Sequence, residues 1–122
     1  MKKIAFLALI MLASLSIQAQ TSKELVGKWQ LVKLTKNGKE KDIKEKFKSD
    51  QVFQVFNEDG KFTGIVGGKS TNGKWKLSKK NDVLTVTVNL IPVKFQIEYF
   101  DSQKRVITQD QLGTLEYKKV NN

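Results

Sequence analysis

Hydrophobic and polar residues alternate with a period of two through most of this chain, in short runs separated by turn residues at roughly even intervals. That is the pattern of a β-barrel or β-sandwich. The first run, Val26 to Leu34, sets Trp29 and Leu31 on one face and Lys28 and Gln30 on the other. A second, Gln51 to Asn57, ends in Asp59-Gly60, a strong hairpin signal because Gly accepts positive φ. A third, Lys61 to Val66, runs into Gly67-Gly68; Asn72-Gly73 predicts the next turn, and a fourth run, Lys74 to Ser78, carries Trp75 and Leu77 on one face. The fifth, Val83 to Leu90, alternates most strictly, with Leu84, Val86, Val88 and Leu90 set against Val83, Thr85, Thr87 and Asn89. The lone proline, Pro92, is expected between strands, where its missing donor does least harm. The sixth, Val93 to Phe100, groups Val93, Phe95, Ile97 and Tyr99, and the last two, Arg105 to Gln109 and Thr114 to Val120, turn Leu115 and Tyr117 inward.

One segment departs from this period. Between Lys39 and Lys48, Ile43 and Phe47 stand four apart, and Glu40 with Lys44 and Asp42 with Lys46 have the spacing of helix ion pairs. A short amphipathic helix between strands one and two is expected, packed across one end of the fold. Eight strands joined by short connections imply antiparallel neighbours, and closing the meander into a barrel removes its exposed edges.

The N-terminus reads differently. Met1-Lys2-Lys3 is basic, Ile4 to Leu15 is a 12-residue uncharged apolar run, and Ser16 to Gln20 is small and polar. This is the three-part pattern of a cleaved secretory signal, too short to span a bilayer as a helix. The expected organisation is therefore a signal peptide over 1–19 and one domain over 20–122, with a secreted or periplasmic destination. The chain has no Cys, so it is not expected to be a lipoprotein, and its 103 remaining residues must be held by burial and hydrogen bonding without disulfides.

Composition narrows the chemistry. Loss of Lys2 and Lys3 leaves 20 basic residues against 12 acidic ones, a charge of +8 that favours solubility and peripheral contact with anionic envelope surfaces. Without His or Cys, the chain lacks the commonest transition-metal ligands, the usual neutral-pH base and the thiol nucleophile. No metal, no cofactor and no enzymatic activity are expected. Asp59, Asp82, Asp101 and Asp110 fall at turns, where Asp is favoured for local hydrogen bonding, and nothing in their spacing makes an acid pair. Gly67 to Thr71 lacks the strand-loop-helix setting of a phosphate loop and reads as a hairpin loop. Nucleic acid is not an expected partner, because the aromatic residues point inward rather than offering exposed stacking platforms.

Three motifs occur in order: Gly27-Lys28-Trp29 on the first strand, Phe56-Asn57-Glu58-Asp59-Gly60-Lys61-Phe62 at a hairpin, and Gly73-Lys74-Trp75 opening a middle strand. Together they make the chain resemble small bacterial lipocalin-like proteins over nearly its whole mature length. The resemblance implies an all-β fold, an eight-stranded antiparallel up-and-down barrel with one short helix between strands 1 and 2. It also implies that Trp29 closes one end of the barrel beside a basic residue of the last strands, Lys118 or Lys119.

The inward set Phe62, Trp75, Val86, Phe95, Ile97 and Tyr117 supplies the candidate ligand contacts, with a packed core as the competing role of the same residues. The function expected is binding of a small apolar or amphipathic ligand inside the barrel, with lysines near the mouth favouring an anionic head group. The alternative is a filled barrel that acts as an envelope protein-interaction or inhibitor module, its partner another protein.

Overall fold

The computed structural model describes residues 22–121; the expected signal peptide lies outside them. A helical turn at 22–25 leads into β1 (Gly27–Lys36), followed by β2 (Lys39–Lys41), α1 (Ile43–Phe47), β3 (Val52–Phe56), β4 (Lys61–Val66), β5 (Lys69–Leu77), β6 (Val83–Val88), β7 (Ile91–Phe100), β8 (Lys104–Gln109) and β9 (Gly113–Val120). Strands β1 and β3 to β9 pair antiparallel in sequence order, and β9 returns to β1, closing an eight-stranded barrel. β2 is a short flap on β1, paired at Leu34 to Lys36, beyond the stretch of β1 (Gly27 to Gln30) that pairs with β3.

The segment 39–48 is not one helix. Asn37 and Gly38 take positive φ, 55° and 77°, so the chain reverses in a two-residue hairpin of the kind Asn-Gly favours. Lys39 to Lys41 then pair with Leu34 to Lys36 instead of starting a helix. The five-residue α1 begins only after Asp42, whose side chain accepts from the Lys44 amide at 3.0 Å, and ends at Lys48 in the left-handed region. Neither the Glu40–Lys44 nor the Asp42–Lys46 pair forms among the described residues. Ile43 and Phe47 do pack against the core.

Three further features differ from simple alternation. Asn72-Gly73 lies mid-strand in β5, because Gly73 is a point of close approach: a Cβ there would stand 2.2 Å from the Thr87 carbonyl oxygen. The turn instead uses Gly67 and Gly68 (φ 57° and 85°). Pro92 sits inside β7 opposite Thr87, at a level where β8 has not yet joined, since β7 and β8 pair only from Gln96 onward. An unpaired edge tolerates its missing N–H. Finally, irregularities at Leu31/Lys33 in β1 and Ile97/Tyr99 in β7 insert one residue each. The second turns Tyr99 outward, where it is 49% exposed, and Phe100 inward against Trp29, ring centroids 5.9 Å apart.

Candidate functional site

The inner face of the barrel has two unlike halves. Around the end where β1 begins and β9 finishes, every inward position is filled: Leu25, Trp29, Leu31, Phe56, Arg105, Ile107, Leu115 and Tyr117 are all buried. Gly27 explains the first glycine of the repeated motif, for at φ 130° a Cβ there would lie 2.8 Å from Cε of Lys119. Lys119 uses that space. Its ammonium donates to the Glu24 and Val26 carbonyls at 2.6 and 2.7 Å and stands 4.9 Å from the centre of the Trp29 ring. Trp29 Nε1 in turn donates to the Leu25 carbonyl at 2.8 Å, so ring and ammonium together anchor the helical turn that plugs this end. Of the two lysines implied as partners of Trp29, Lys119 is the one in place; Lys118 is exposed.

A second cation lies deeper. Arg105, the chain's single arginine among 22 basic residues, is 0% exposed. Its guanidinium carbon stands 4.3 Å from the Tyr117 ring centre, 5.0 Å from Phe56 and 5.2 Å from Trp29. Nη2 donates to Gln54 Oε1 at 2.6 Å, whereas Nε and Nη1 are buried without an acceptor. Burial pulls the Arg105 pKa down to about 10, still cationic at neutral pH, and pushes the Tyr117 hydroxyl up to about 12. Burial also lowers Lys119.

The other half, walled by β4 to β7, is less sealed. By strand register Phe62, Leu84, Val86 and Phe95 face inward and are buried, whereas Gly64, Val66, Gly73, Trp75, Leu77, Val88, Val93 and Ile97 face inward and are only partly buried. Three two-residue hairpins crown this end: Asn37-Gly38, Gly67-Gly68 and Asn89-Leu90. An open groove of about 670 Å³ runs beside α1, lined by Leu34, Leu112, Glu45, Lys46 and Lys48, and Lys36 bridges its rim by donating to the Gln111 carbonyl at 2.8 Å. A larger groove of about 780 Å³ lies on the outer surface of β5 and β6, bordered by Lys74, Lys76, Thr85 and Leu90.

The six residues expected to contact ligand all belong to the interior. Phe62, Val86, Phe95 and Tyr117 are buried in the core, while Trp75 and Ile97 are partly buried against it. Trp75 and Val86 are cross-strand neighbours, and Trp75 makes an edge contact with Phe56, whose ring also meets Phe62. The Trp75 indole N–H is held by the Asn57 carbonyl at 2.9 Å, which ties this ring to the β3–β4 hairpin. Tyr117 pairs across strands with Arg105 and belongs to the sealed half. Sequence reasoning missed Arg105 and Gln54. The available signal was the phase of β8, where Arg105 and Gln109 flank the apolar Ile107 on one face.

Comparison with known proteins agrees with this architecture. A family model described as a lipocalin-like domain matches residues 25–112. The fold is similar to a lipocalin-like protein from Bacteroides uniformis (TM-score 0.64, 18% identity, covering 80% of this chain and 99% of that one). It is also similar to an uncharacterized protein from Bacteroides eggerthii (0.61, 20%, 79% and 99%) and a DUF4847 family protein from Bacteroides vulgatus (0.55, 16%, 80% and 94%). No curated protein matches the chain.

Proposed function

This chain belongs to the lipocalin-like domain family, and from that premise we propose that it is an exported, non-enzymatic protein that holds a small apolar or amphipathic molecule in its barrel. The observation that carries the reading is the unequal interior: the inward residues Val66, Val88 and Val93 near the β4–β5 and β6–β7 hairpins stay partly exposed, while those around Trp29 are fully buried. Apolar surface left open inside a barrel gains about 25 cal/mol per Å² when a ligand covers it. The groove beside α1 supplies a mixed-charge rim with a lysine excess at the same end, suited to attracting an anionic molecule.

Native mass spectrometry of the exported protein, set against the same sample after unfolding and solvent extraction, tests this. A stoichiometric small-molecule adduct lost on unfolding is expected. A clean apo mass, with no change in Trp fluorescence across apolar and amphipathic probes, overturns the proposal. N-terminal sequencing of the exported form is expected to begin at Gln20.

A second reading, a filled barrel working through its outer face on a protein partner, draws on a different observation. Leu90, which borders the outer groove of β5 and β6, is 94% exposed. Co-purification of a defined partner that is lost in Leu90→Asp, together with the clean apo mass, is the outcome that selects it.

A further inference from the structure

We propose that the outer wall of β5 to β7 docks on an anionic phospholipid bilayer, with Leu90 and Ile91 at the β6–β7 hairpin tip entering the acyl boundary and the lysines of the adjoining grooves meeting the head groups. This goes beyond a ligand in the interior and stands whether or not the barrel holds one.

The tip carries apolar surface at a conformational cost. Leu90 holds φ 66°, in the left-handed region where a branched side chain is strained, and it is 94% exposed. Ile91, next in the chain, is 64% exposed. A Gly in the second place of this turn would remove both the strain and the exposed side chain. Two neighbouring aliphatic side chains that touch little of their own barrel are stabilised only when an apolar medium covers them.

Cations stand behind the tip. Lys61, Lys74 and Lys76 border the outer groove that Leu90 also borders, and Lys76, Lys79 and Lys94 border a second groove that continues it across β6 and β7. Register places Lys61 directly opposite Lys74, and sets Lys76 and Lys94 on either side of Thr85. Like charges opposite one another on one face of a sheet repel. Among the described residues that border the two grooves one is acidic, Asp59, 3.9 Å from Lys61. Five lysines against that one acid put +4 of the mature chain's +8 on this face, which suits an anionic surface.

The order of tip and cations selects the partner. Lys74 pairs with Thr87, three residues before Leu90, and Lys76 with Thr85, five before it. At about 3.3 Å per residue these cations are rooted roughly 10 to 17 Å behind the tip. Interfacial elements bury their apolar side chains about 5–10 Å into the boundary between head groups and acyl chains. Lysine stems reach forward along apolar surface, so the aliphatic tip and the ammonium groups meet their two layers together. A polyanionic glycan would match the lysines and leave Leu90 and Ile91 in water.

Vesicle co-sedimentation of the exported protein tests this with two compositions, phosphatidylcholine alone and phosphatidylcholine mixed with phosphatidylglycerol. The mixed vesicles are expected to bind about 10-fold tighter or more, and about 1 M salt, where the Debye length falls to about 3 Å, is expected to remove most of the difference. Leu90→Gly keeps the charge and relieves the turn, so its expected loss of about 10-fold reads the inserted leucine rather than unfolding. Lys74→Glu is expected to lose about 25-fold, two unit charges at about 5-fold each. Lys118→Glu makes the same charge change at an exposed position of β9, across the barrel, and is expected to stay within about 3-fold. Because the chain has no Cys, a polarity-sensitive dye on Leu90→Cys reads the tip alone and is expected to shift to the blue on the mixed vesicles. Equal losses from Lys74→Glu and Lys118→Glu, or a dye that bound vesicles leave unmoved, overturn the docking face. So does a wild type indifferent to both vesicles, including the case in which Leu90→Gly releases a co-purifying protein instead. Each of those failures leaves the carrier reading untouched, since none of them concerns the interior.

Discussion

The sealed end around Trp29 and the open wall of β4 to β7 are built from the same alternating pattern and put it to opposite uses. At the sealed end each inward side chain is buried and hydrogen bonds tie the parts together: Lys119 to Glu24 and Val26, Trp29 to Leu25, Arg105 to Gln54. Along the wall of β4 to β7 buried Phe62, Leu84, Val86 and Phe95 alternate with inward residues that solvent still reaches, among them Gly64, Val66, Gly73, Val88 and Val93. Buried side chains thus pack on both sides of the barrel, and the incompletely covered apolar surface is confined to particular inward positions of β4 to β7. The difference makes a sharp expectation: substitutions at the sealed end cost folding, and substitutions on the wall cost binding.

The largest expected effect breaks the sealed end. Trp29→Ala removes a fully buried indole that contacts Phe100 and faces both cations, and it leaves the Leu25 carbonyl without its donor. A loss of about 3–5 kcal/mol is expected, the range for large-to-small core changes. Urea denaturation measures it. A loss below about 1 kcal/mol contradicts the assignment of stability to this end.

A smaller effect, confined to alkaline pH, separates the two buried titratable groups of that end. Tyr117 is pushed up to about 12 from an unfolded value of 10, so the native state keeps a proton that the unfolded chain releases. The stability this contributes is complete below pH 10 and is lost as pH rises toward 12. Arg105 is pulled down to about 10 from 12.5, so its term has the opposite sign and stability rises over an overlapping range. In the wild type the two largely offset. Tyr117→Phe removes the first alone, and the variant is expected to gain about 2 kcal/mol on the wild type between pH 9.5 and 11.5. Parallel denaturation curves at the two pH values with no relative change refute it.

On the open wall the expected cost is smaller and of another kind. Val88 is a partly buried inner residue beside Ile91, so Val88→Ala is expected to lose only about 1 kcal/mol of stability. Binding of an amphipathic probe such as decanoate should weaken several-fold in the same variant. Unchanged affinity in calorimetric titration argues that an apolar ligand does not lie along this wall.

How much of this contrast was legible beforehand follows from what alternation can encode. The phases of β6 and of most of β1, β7 and β9 were readable because a half-buried strand repeats every two residues, and the interior set followed from them. Tyr99 and Phe100 exchanged faces because a single inserted residue in β7 reverses every position after it, and no side chain advertises the insertion. The flap β2 was legible in Asn37-Gly38 but was masked by the helical spacing of the lysine-rich stretch after it. Asn72-Gly73 carried the same hairpin signal for a different reason, the close approach of Thr87 on the neighbouring strand β6, which depends on how the two strands cross. Arg105 was hidden by the general rule that Arg stays at the surface. Its burial arises from tertiary packing, three rings from three other strands, that no local pattern contains.

The smallest expected change concerns the rim of the open half. Asn89-Leu90 makes the β6–β7 hairpin with both residues at positive φ, 53° and 66°, in a turn type that favours Asn-Gly. Asn89 suits its place, whereas Leu90 holds a branched side chain in the left-handed region and exposes nearly all of it. Nothing in its own packing compensates the strain of roughly 1 kcal/mol. Leu90→Gly is therefore expected to stabilise the barrel by about 0.5–1 kcal/mol, seen as a rise of a few degrees in Tm. If stability rises and decanoate binding is unchanged while a protein partner is lost, Leu90 is retained for contact at the outer surface. If binding of decanoate falls instead, the exposed leucine belongs to the entrance, and the open half extends from the inner wall to the hairpin tip.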